Sequence, residues 1–364
     1  MKLRSLHSSS PLLSALLLCG LPACGGESGA SDDGESSALK ATALSDLTVR
    51  LSVTGPGTVR YELVNNTQES VYGSGWHPSE PARLLNVTRN GAPVAYKGPV
   101  ASKLDDSGAW SLEPGAALTK DVDIVRNFDV GNGGTLDVTA RKDGTLALDS
   151  AEDSLNVNSS VQLTLENTAQ PAGGLGVKRQ GLTYSGSCNN DQQGALNGAN
   201  QGATYMINAA INNAPTSRYR YWFGTPPDGT VAVMDAQVVD RLSSMRALGA
   251  DANAEFVCEN TDGECAANPS WIAYVWTSDA DAGIRRVQFC LPYWRLAHDS
   301  NDGGDGRNSS SRVGVMVHEY SHLFGTDDLG YQETKARNLA LNNWSSAYQN
   351  AENYRLFVMN TGNH

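Results

Sequence analysis

The sequence has no cluster of basic residues, no apolar run long enough to cross a membrane, and few histidines. Its formal charge of −12 at neutral pH argues against nucleic acid or an anionic membrane surface as a partner, and it indicates solubility. The longest apolar stretch near the N-terminus, residues 12–18, falls well short of the ~20 residues that a spanning helix needs. Only six histidines occur in 364 residues, so two of them at a metal-binding spacing are informative.

Residues 1–24 have the features of a signal peptide. Two basic residues precede the short apolar stretch, which ends in the Leu-Pro-Ala-Cys run of residues 21–24. That ending resembles a bacterial lipobox, which implies lipidation of Cys24 after cleavage; a plain secretory signal is the alternative. We therefore expect a protein exported from a bacterium, either an outer-membrane lipoprotein held only by its lipid anchor or a protein secreted after processing. Residues 25–44, rich in Gly, Ser and Asp, predict a flexible tether.

Residues 45–166 predict an all-β domain that contains no cysteine. Apolar and polar residues alternate from residue 47 to residue 53, as in a strand with one buried face. Asn90-Gly91 and Asp143-Gly144 each separate two apolar runs and favour tight hairpins, and residues 161–165 supply a last strand. The pattern favours an immunoglobulin-like sandwich, and it contains no catalytic constellation.

Residues 167–184 have the composition of an exposed linker that a protease could cut. They are rich in Gly and include Lys178 and Arg179, and a cut near Lys178 would suit self-processing. The β-domain would then be a propeptide. The alternative is a sandwich that stays attached and binds a surface polymer or a partner protein.

Residues 185–364 predict an α+β domain. Hydrophobic periodicity favours helices and strands in turn, with a metal-binding helix and a C-terminal helix at the end. The helices are expected over 200–212 and 231–248, and the strands over 256–258, 272–276 and 287–290.

Four cysteines of this domain form an even set, and disulfides are expected in an exported domain. They are Cys188, Cys258, Cys265 and Cys290. Four cysteines allow three pairings, and a zinc–thiolate cluster is the weaker alternative because the residues are widely spread.

The most informative motif is His318-Glu319-Tyr320-Ser321-His322. Residues four apart share one face of a helix, so His318 and His322 can hold one metal ion while Glu319 stands beside it to work on a bound water. Serines 309–311 offer an N-cap, and the apolar residues that follow at helical spacing predict one buried face. Two solvated histidines on a surface helix are the alternative.

Zinc in a catalytic site takes three protein ligands and keeps the fourth position open. Gly325 permits a left-handed turn that ends the helix, so the chain can double back and bring an acid to the metal. Asp328 is the candidate third ligand. Asp327 is its local competitor, and Glu352 is the candidate if the site uses a distant glutamate.

The run from Gly325 to Tyr331 resembles the signature of the aspzincin metallopeptidases, the deuterolysin and peptidyl-Lys metalloendopeptidase group. Further landmarks are similar in the same order, across residues of roughly 185 to 360. They are Tyr221-Trp222-Phe223-Gly224-Thr225, Phe289-Cys290 with Trp294, and Asn350-Ala351-Glu352-Asn353-Tyr354 with Phe357.

The resemblance implies a zincin-like fold with one Zn²⁺ per chain, bound by His318, His322 and Asp328. It also implies Glu319 as general base and Tyr331 as a residue that assists the oxyanion. For the cysteines it favours Cys188 with Cys258 and Cys265 with Cys290, and for the N-terminal region it implies a β-sandwich prodomain.

Two departures from the family pattern concern geometry and specificity. Only Leu323 and Phe324 separate the second histidine from the Gly-Thr turn. This spacing is shorter than in fungal members. Lysine-selective members place an Asp and a Glu in the substrate pocket, where this chain has Glu352 and Arg355. An arginine there repels or neutralises a lysine, so strict lysine preference is not expected and acidic or small residues could be admitted.

The sequence thus predicts a monomeric, exported zinc metalloendopeptidase that acts on proteins or peptides, is made as an inactive precursor and is inhibited by its own propeptide. Weak Lys or Arg preference after the cut stays open. A non-enzymatic surface lipoprotein that binds through its β-sandwich is the alternative. The acidic loop from Asp299 to Asp305 has oxygen ligands suited to calcium but lacks the closing glutamate, so a rim loop is favoured.

Overall fold

The computed structural model describes residues 47–73, 84–103, 110–141, 159–165, 182–214, 216–227, 230–250, 254–298 and 311–361. Several predicted features lie outside the described residues. These are Cys24 and the export signal, the Asp143-Gly144 hairpin, residues 167–181 of the predicted linker, and the acidic loop from Asp299 to Asp305.

The first part of the described chain is built of β-strands. Their bounds are β1 Leu47–Gly55, β2 Thr58–Asn65, β3 Val71–Gly73, β4 Leu85–Arg89, β5 Ala92–Pro93, β6 Pro99–Lys103, β7 Trp110–Leu112, β8 Ala117–Asp123, β9 Gly134–Ala140 and β10 Ser160–Leu165. One sheet has the order β1-β2-β8, a second has the order β10-β9-β4-β5, and β3 pairs with β7. Apolar residues of β1 to β4 and of β7 to β10 share one hydrophobic core, as the period-two alternation predicts, whereas Val100 and Ala101 of β6 pack elsewhere.

The predicted hairpin at Asn90-Gly91 is confirmed. It joins β4 to β5, which pair antiparallel. Both turn residues have positive φ, 52° for Asn90 and 79° for Gly91, which is the conformation that an Asn-Gly hairpin turn requires.

The second part combines a sheet with helices. Its strands are β11 Thr183–Gly186, β12 Glu255–Asn260, β13 Trp271–Trp276 and β14 Arg286–Cys290. Including the short α1 of the first part, the helices are α1 Ile124–Asn127, α2 Asn190–Asn212, α3 Ser217–Phe223, α4 Val231–Ala250, α5 Gly263–Ala267, α6 Thr277–Asp281, α7 Arg312–His322, α8 Gln332–Asn342, α9 Trp344–Gln349 and α10 Ala351–Thr361, with a 3-10 turn at Leu291–Arg295. All the helices and strands predicted by periodicity in this part are confirmed.

A strand from the first part completes the sheet of the second. The sheet order is β11-β12-β14-β13-β6, and β6 pairs antiparallel with β13. The register aligns Ala101 with Tyr274 and Ser102 with Ala273. Since β6 forms one edge of this sheet, residues 41–364 make a single compact unit.

The metal-motif helix α7 lies at the centre of this unit. It packs against β6 and β13 on one side and against α2 and α10 on the other. The prediction of a single buried face was wrong, because every residue from Val313 to His322 is buried. A helix enclosed by a sheet and by other helices has no face left for solvent.

Both disulfides implied by the family resemblance are present, Cys188 with Cys258 and Cys265 with Cys290. The first ties the start of α2 to β12, and the second ties α5 to the end of β14. Among the described helices, none is long and apolar enough to span a membrane.

Candidate zinc site

Helix α7 presents two imidazoles one turn apart. The Ser311 side chain caps the helix by accepting a hydrogen bond from the backbone N–H of Gly314, at 3.0 Å. The Nε2 atoms of His318 and His322 lie 3.1 Å apart, and both side chains are buried. The four-residue spacing therefore brings both ring nitrogens to one point, as the motif predicts.

The turn behind the helix fixes the second histidine. Gly325 has φ of 83°, the left-handed conformation that lets the chain reverse. The carbonyl oxygen of Thr326 then lies 3.0 Å from Nδ1 of His322. A hydrogen bond from that nitrogen leaves Nε2 free to bind a metal.

Asp328 reaches the same point because its loop is held by Asn350. The side-chain oxygen of Asn350 accepts from the backbone N–H groups of Leu329 and Gly330, at 2.9 and 3.1 Å. Its amide donates back to the carbonyl of Gly330, at 2.8 Å. Asp327 is exposed and pairs with Asn350 through a backbone bridge, so Asp328 alone of the two aspartates enters the site.

Three ligand atoms converge in the interior. Oδ1 of Asp328 lies 2.9 Å from Nε2 of His318 and 3.3 Å from Nε2 of His322. These separations approach the ~3.3 Å expected between ligands that share a tetrahedral zinc ion. Neither carboxylate oxygen accepts a hydrogen bond of ordinary geometry among the described residues, although both are buried. Two imidazoles and a buried carboxylate without donors suit Zn²⁺.

The charges around this point favour a cation. Burial alone lowers the pKa of His318, but Asp328 and Glu352 outweigh it and raise that pKa to about 10. Burial likewise raises the pKa of Asp328, yet the two histidines outweigh it and bring the pKa well below its usual range. A divalent cation bound by the three side chains would offset the same negative charges.

Glu319 stands beside the ligands and is fully buried. Burial raises its pKa, and the neighbouring histidines only partly offset this. Oε1 accepts from the hydroxyl of Ser102 at 2.7 Å and from its backbone N–H at 3.2 Å. Oε2 has no hydrogen-bond partner within the described part of the chain. The carboxylate thus has one oxygen engaged by β6 and one available for a proton transfer.

Tyr331 faces the site from the start of α8. Its ring stacks on His318, with centroids 5.8 Å apart and an interplanar angle of 11°. Its hydroxyl donates to the backbone carbonyl of Ala101. This geometry lets the phenol stabilise negative charge on a carbonyl oxygen held in that position.

Glu352 and Arg355 form a buried ion pair on α10. Nε and Nη2 of Arg355 donate to the two carboxylate oxygens at 2.7 and 2.6 Å. Burial alone would raise the pKa of Glu352, but Arg355 and His318 lower it to about 2. Oε2 of Glu352 lies 3.5 Å from Nδ1 of His318. The distant-glutamate alternative placed Glu352 on the metal, whereas here it faces the opposite ring nitrogen and Asp328 joins the two Nε2 atoms.

Three residues of the site escaped the sequence analysis. Ala101 and Ser102 lie on β6, within residues 45–166, which the sequence assigns to the β-domain. Asn350, which holds the loop of Asp328, was noted only as a family landmark. A buried asparagine has no local sequence pattern that identifies its hydrogen-bond partners.

Comparisons with known proteins relate this chain to peptidases. A family model described as lysine-specific metallo-endopeptidase matches residues 185–359. An extracellular protease of Aeromonas hydrophila is 26% identical over 332 residues, which cover 83% of this chain and 88% of that protein. A peptidyl-Lys metalloendopeptidase of Pleurotus ostreatus is 30% identical over 182 residues, which cover 48% of this chain and 94% of that protein. A solved zinc peptidase from Grifola frondosa has a TM-score of 0.38 at 24% identity and covers 48% of this chain and 99% of its own.

Proposed function

Because the chain belongs to the aspzincin family of zinc metalloendopeptidases, we propose that Glu319 and Tyr331 catalyse its peptide hydrolysis and that β6 keeps the precursor inactive. The observation that carries the proposal is the peptide bond between Ala101 and Ser102. Its carbonyl oxygen accepts from Tyr331, and its N–H donates to Glu319.

The charge of each group in the site suggests its role in the reaction. Zinc held by His318, His322 and Asp328 would supply a Lewis acid, which lowers the pKa of water to about 7 and polarises a carbonyl. Glu319 accepts the proton of the attacking water and passes it to the leaving amine. The Tyr331 hydroxyl donates a hydrogen bond to the oxygen on which negative charge develops.

The inhibitory role of β6 rests on where it lies. A peptide substrate commonly binds by adding a strand to an exposed sheet edge, and β6 already covers the free edge of β13. Its Ser102 also donates two hydrogen bonds to Oε1 of Glu319, so one of the two carboxylate oxygens is engaged by β6 and not by a water or a substrate. A covalently attached strand competes at high effective concentration, so a substrate in solution is excluded.

Residues 45–166 would then act as an immunoglobulin-like sandwich propeptide. Two sheets around one core support this assignment. We propose that a cut within residues 167–184, near Lys178, starts activation and that β6 leaves the sheet afterwards. Removal of β6 would uncover the edge of β13 and free Glu319 and Tyr331 for substrate.

Strict preference for lysine after the cut is not part of the proposal. Both oxygens of Glu352 are already paired with Arg355, so the pair offers a substrate ammonium little net negative charge. Peptides that differ only in that position, with Lys, Ala or Glu, would test this. A strong preference for Lys over Ala in the mature enzyme would contradict it.

Export completes the proposed function. The signal features of residues 1–24 and the extracellular relative support secretion from a bacterium. Lipidation of Cys24 would hold the precursor at the outer membrane until processing releases the peptidase domain. Mass analysis of the N-terminal peptide would distinguish a lipidated cysteine from a plain cleaved end.

The test of the enzymatic proposal is intact-mass analysis of the oxidised exported chain. It would be incubated with zinc, with a chelator, and as the Glu319→Gln variant. We expect the wild-type chain to be shortened only when zinc is present. The Glu319→Gln variant should stay intact and still bind one zinc. A Glu319→Gln variant as active as the wild type would contradict the assigned base, since removal of a general base costs about 10²–10⁴-fold.

A further inference from the structure

Glu352 contacts two separate parts of the site, although it binds neither metal nor substrate in the assignment above. Its Oε2 lies 3.5 Å from Nδ1 of His318. Its Oε1 accepts from the backbone N–H of Gln332 at 3.0 Å. The same carboxylate therefore touches a zinc ligand and the residue next to Tyr331.

The contact with His318 matches the contact made by the other histidine. The carbonyl oxygen of Thr326 lies 3.0 Å from Nδ1 of His322, and Oε2 of Glu352 lies 3.5 Å from Nδ1 of His318. A carboxylate at this position fixes the tautomer and the ring orientation, and it makes the metal-binding nitrogen more basic.

The contact with Gln332 supports an unusual backbone. Gln332 has φ of 66°, in the left-handed region that residues other than glycine rarely adopt. Such a conformation persists only where its surroundings hold it. The hydrogen bond from its N–H to Glu352 is such a restraint, and it aims Tyr331, one residue earlier, at the site.

Arg355 holds the carboxylate in place. Its two hydrogen bonds to Glu352 are short and buried, and both side chains are at most 5% exposed. With four contacts, the carboxylate of Glu352 has no oxygen left for a substrate side chain.

We propose that Glu352, clamped by Arg355, is a positioning residue that orients the zinc ligand His318 and the turn carrying Tyr331. This inference rests on the zinc site of the proposed function. It replaces the expectation that Glu352 and Arg355 receive the substrate side chain.

The test is zinc affinity, measured by competition with a chromogenic chelator on the full chain. All variants would carry Glu319→Gln so that self-cleavage does not change the sample. Glu352→Gln is expected to weaken zinc binding about 10–100-fold, as losses of such outer partners commonly do. Asp279→Asn is the matched control, because it also removes the charge of a buried carboxylate that is paired with an arginine, Arg286, at 3.0 Å.

The chain that carries Glu319→Gln alone distinguishes failure of the zinc site from failure of the positioning role. If this chain does not bind stoichiometric zinc, the zinc site itself is contradicted. If it binds zinc and the further substitution Glu352→Gln leaves the affinity unchanged, only the positioning role is overturned.

Two further variants keep the test decisive if Glu352→Gln leaves Arg355 unpaired and fails to fold. Glu352→Gln with Arg355→Gln removes both charges together, and Glu352→Asp keeps the charge but withdraws it by one methylene. Both are expected to weaken zinc binding. In the otherwise unaltered mature enzyme, Glu352→Asp should lower kcat for Lys and Ala peptides equally. A loss confined to KM for Lys peptides would instead make Glu352 a substrate receptor.

Discussion

Ser102 and Glu319 are 217 positions apart in the sequence, yet two hydrogen bonds join them in the interior. The hydroxyl and the backbone N–H of Ser102 both donate to Oε1 of Glu319, at 2.7 and 3.2 Å. Both residues are buried. The β-strand region therefore contacts the carboxylate that is proposed as the general base, and the proposed inhibition by β6 rests on this contact.

Ser102→Ala should accelerate activation. The substitution removes the hydroxyl bond to Glu319 but leaves β6 able to pair with β13. A hydrogen bond to a charged group contributes about 1.5–3 kcal/mol, so self-cleavage should quicken about 10–100-fold, including a cut between residues 101 and 102. Time-resolved intact mass would measure it, with Ser52→Ala, on an exposed position of β1, as control. Activation no faster than in the wild type would contradict the blocking role.

Tyr331→Phe should lower kcat of the mature enzyme about 10²–10³-fold with little change in KM. The phenol is proposed to act on charge that develops only in the transition state, and one such donor contributes about 2.7–4 kcal/mol. Steady-state kinetics would measure it after removal of the propeptide. Tyr184→Phe, which loses a hydroxyl bonded to Asn197, is the control. An unchanged kcat would refute the role.

Asn350→Ala should destabilise the fold and weaken zinc binding together. It leaves two N–H groups of the Asp328 loop without their acceptor, that of Gly330 buried and that of Leu329 partly buried, which costs about 2–4 kcal/mol in the free energy of unfolding. Urea unfolding and chelator competition would report the two effects. Asn342→Ala, at an exposed position, should change neither. Normal zinc affinity in Asn350→Ala would show that the loop does not depend on this side chain.

Alkaline pH should weaken the fold through Tyr354. Burial raises its pKa to about 12, with Arg241 opposing the rise. An unfolded phenol has a pKa of about 10, so its contribution is complete below pH 10 and is lost as pH rises toward 12. Tyr354 should therefore contribute up to about 1.4 kcal/mol per pH unit to the fall in the free energy of unfolding in that window. Urea midpoints at pH 9, 10 and 11 would measure the slope.

Tyr354→Phe should make that slope shallower, whereas Tyr205→Phe should not. Tyr205 is 73% exposed, so its environment changes little on unfolding. Equal slopes in the wild type and in Tyr354→Phe would rule out this residue as the source.

Removal of the Cys188–Cys258 disulfide should cost more than removal of Cys265–Cys290. The bonds close loops with sequence separations of 70 and 25. Chain entropy gives about 4.4 and about 3.5 kcal/mol respectively. Urea unfolding of the two double-alanine variants would compare them, with thiol counts as control. The reverse order would indicate that native contacts, and not loop closure, dominate.

Features with a short-range cause could be predicted from the sequence. The spacing of His318 and His322 fixes their common face, because helix geometry alone sets it. Gly325 predicted the turn that ends the metal-motif helix, and the Asn90-Gly91 pair predicted a hairpin. The sequence could not decide whether Asp327 or Asp328 is the third ligand, because the hydrogen bonds of Asn350 determine which side chain enters the site.

The sequence by itself determined the metal chemistry, the disulfide candidates and the alternation of strands, since each depends on residue type and local period. Only the tertiary structure decided that β6 leaves the β-strand region to join β13, and that Glu352 contacts His318. Strand pairing and buried ion pairs between distant segments depend on long-range packing. That packing balances burial against chain entropy over the whole fold, and a local pattern does not encode it.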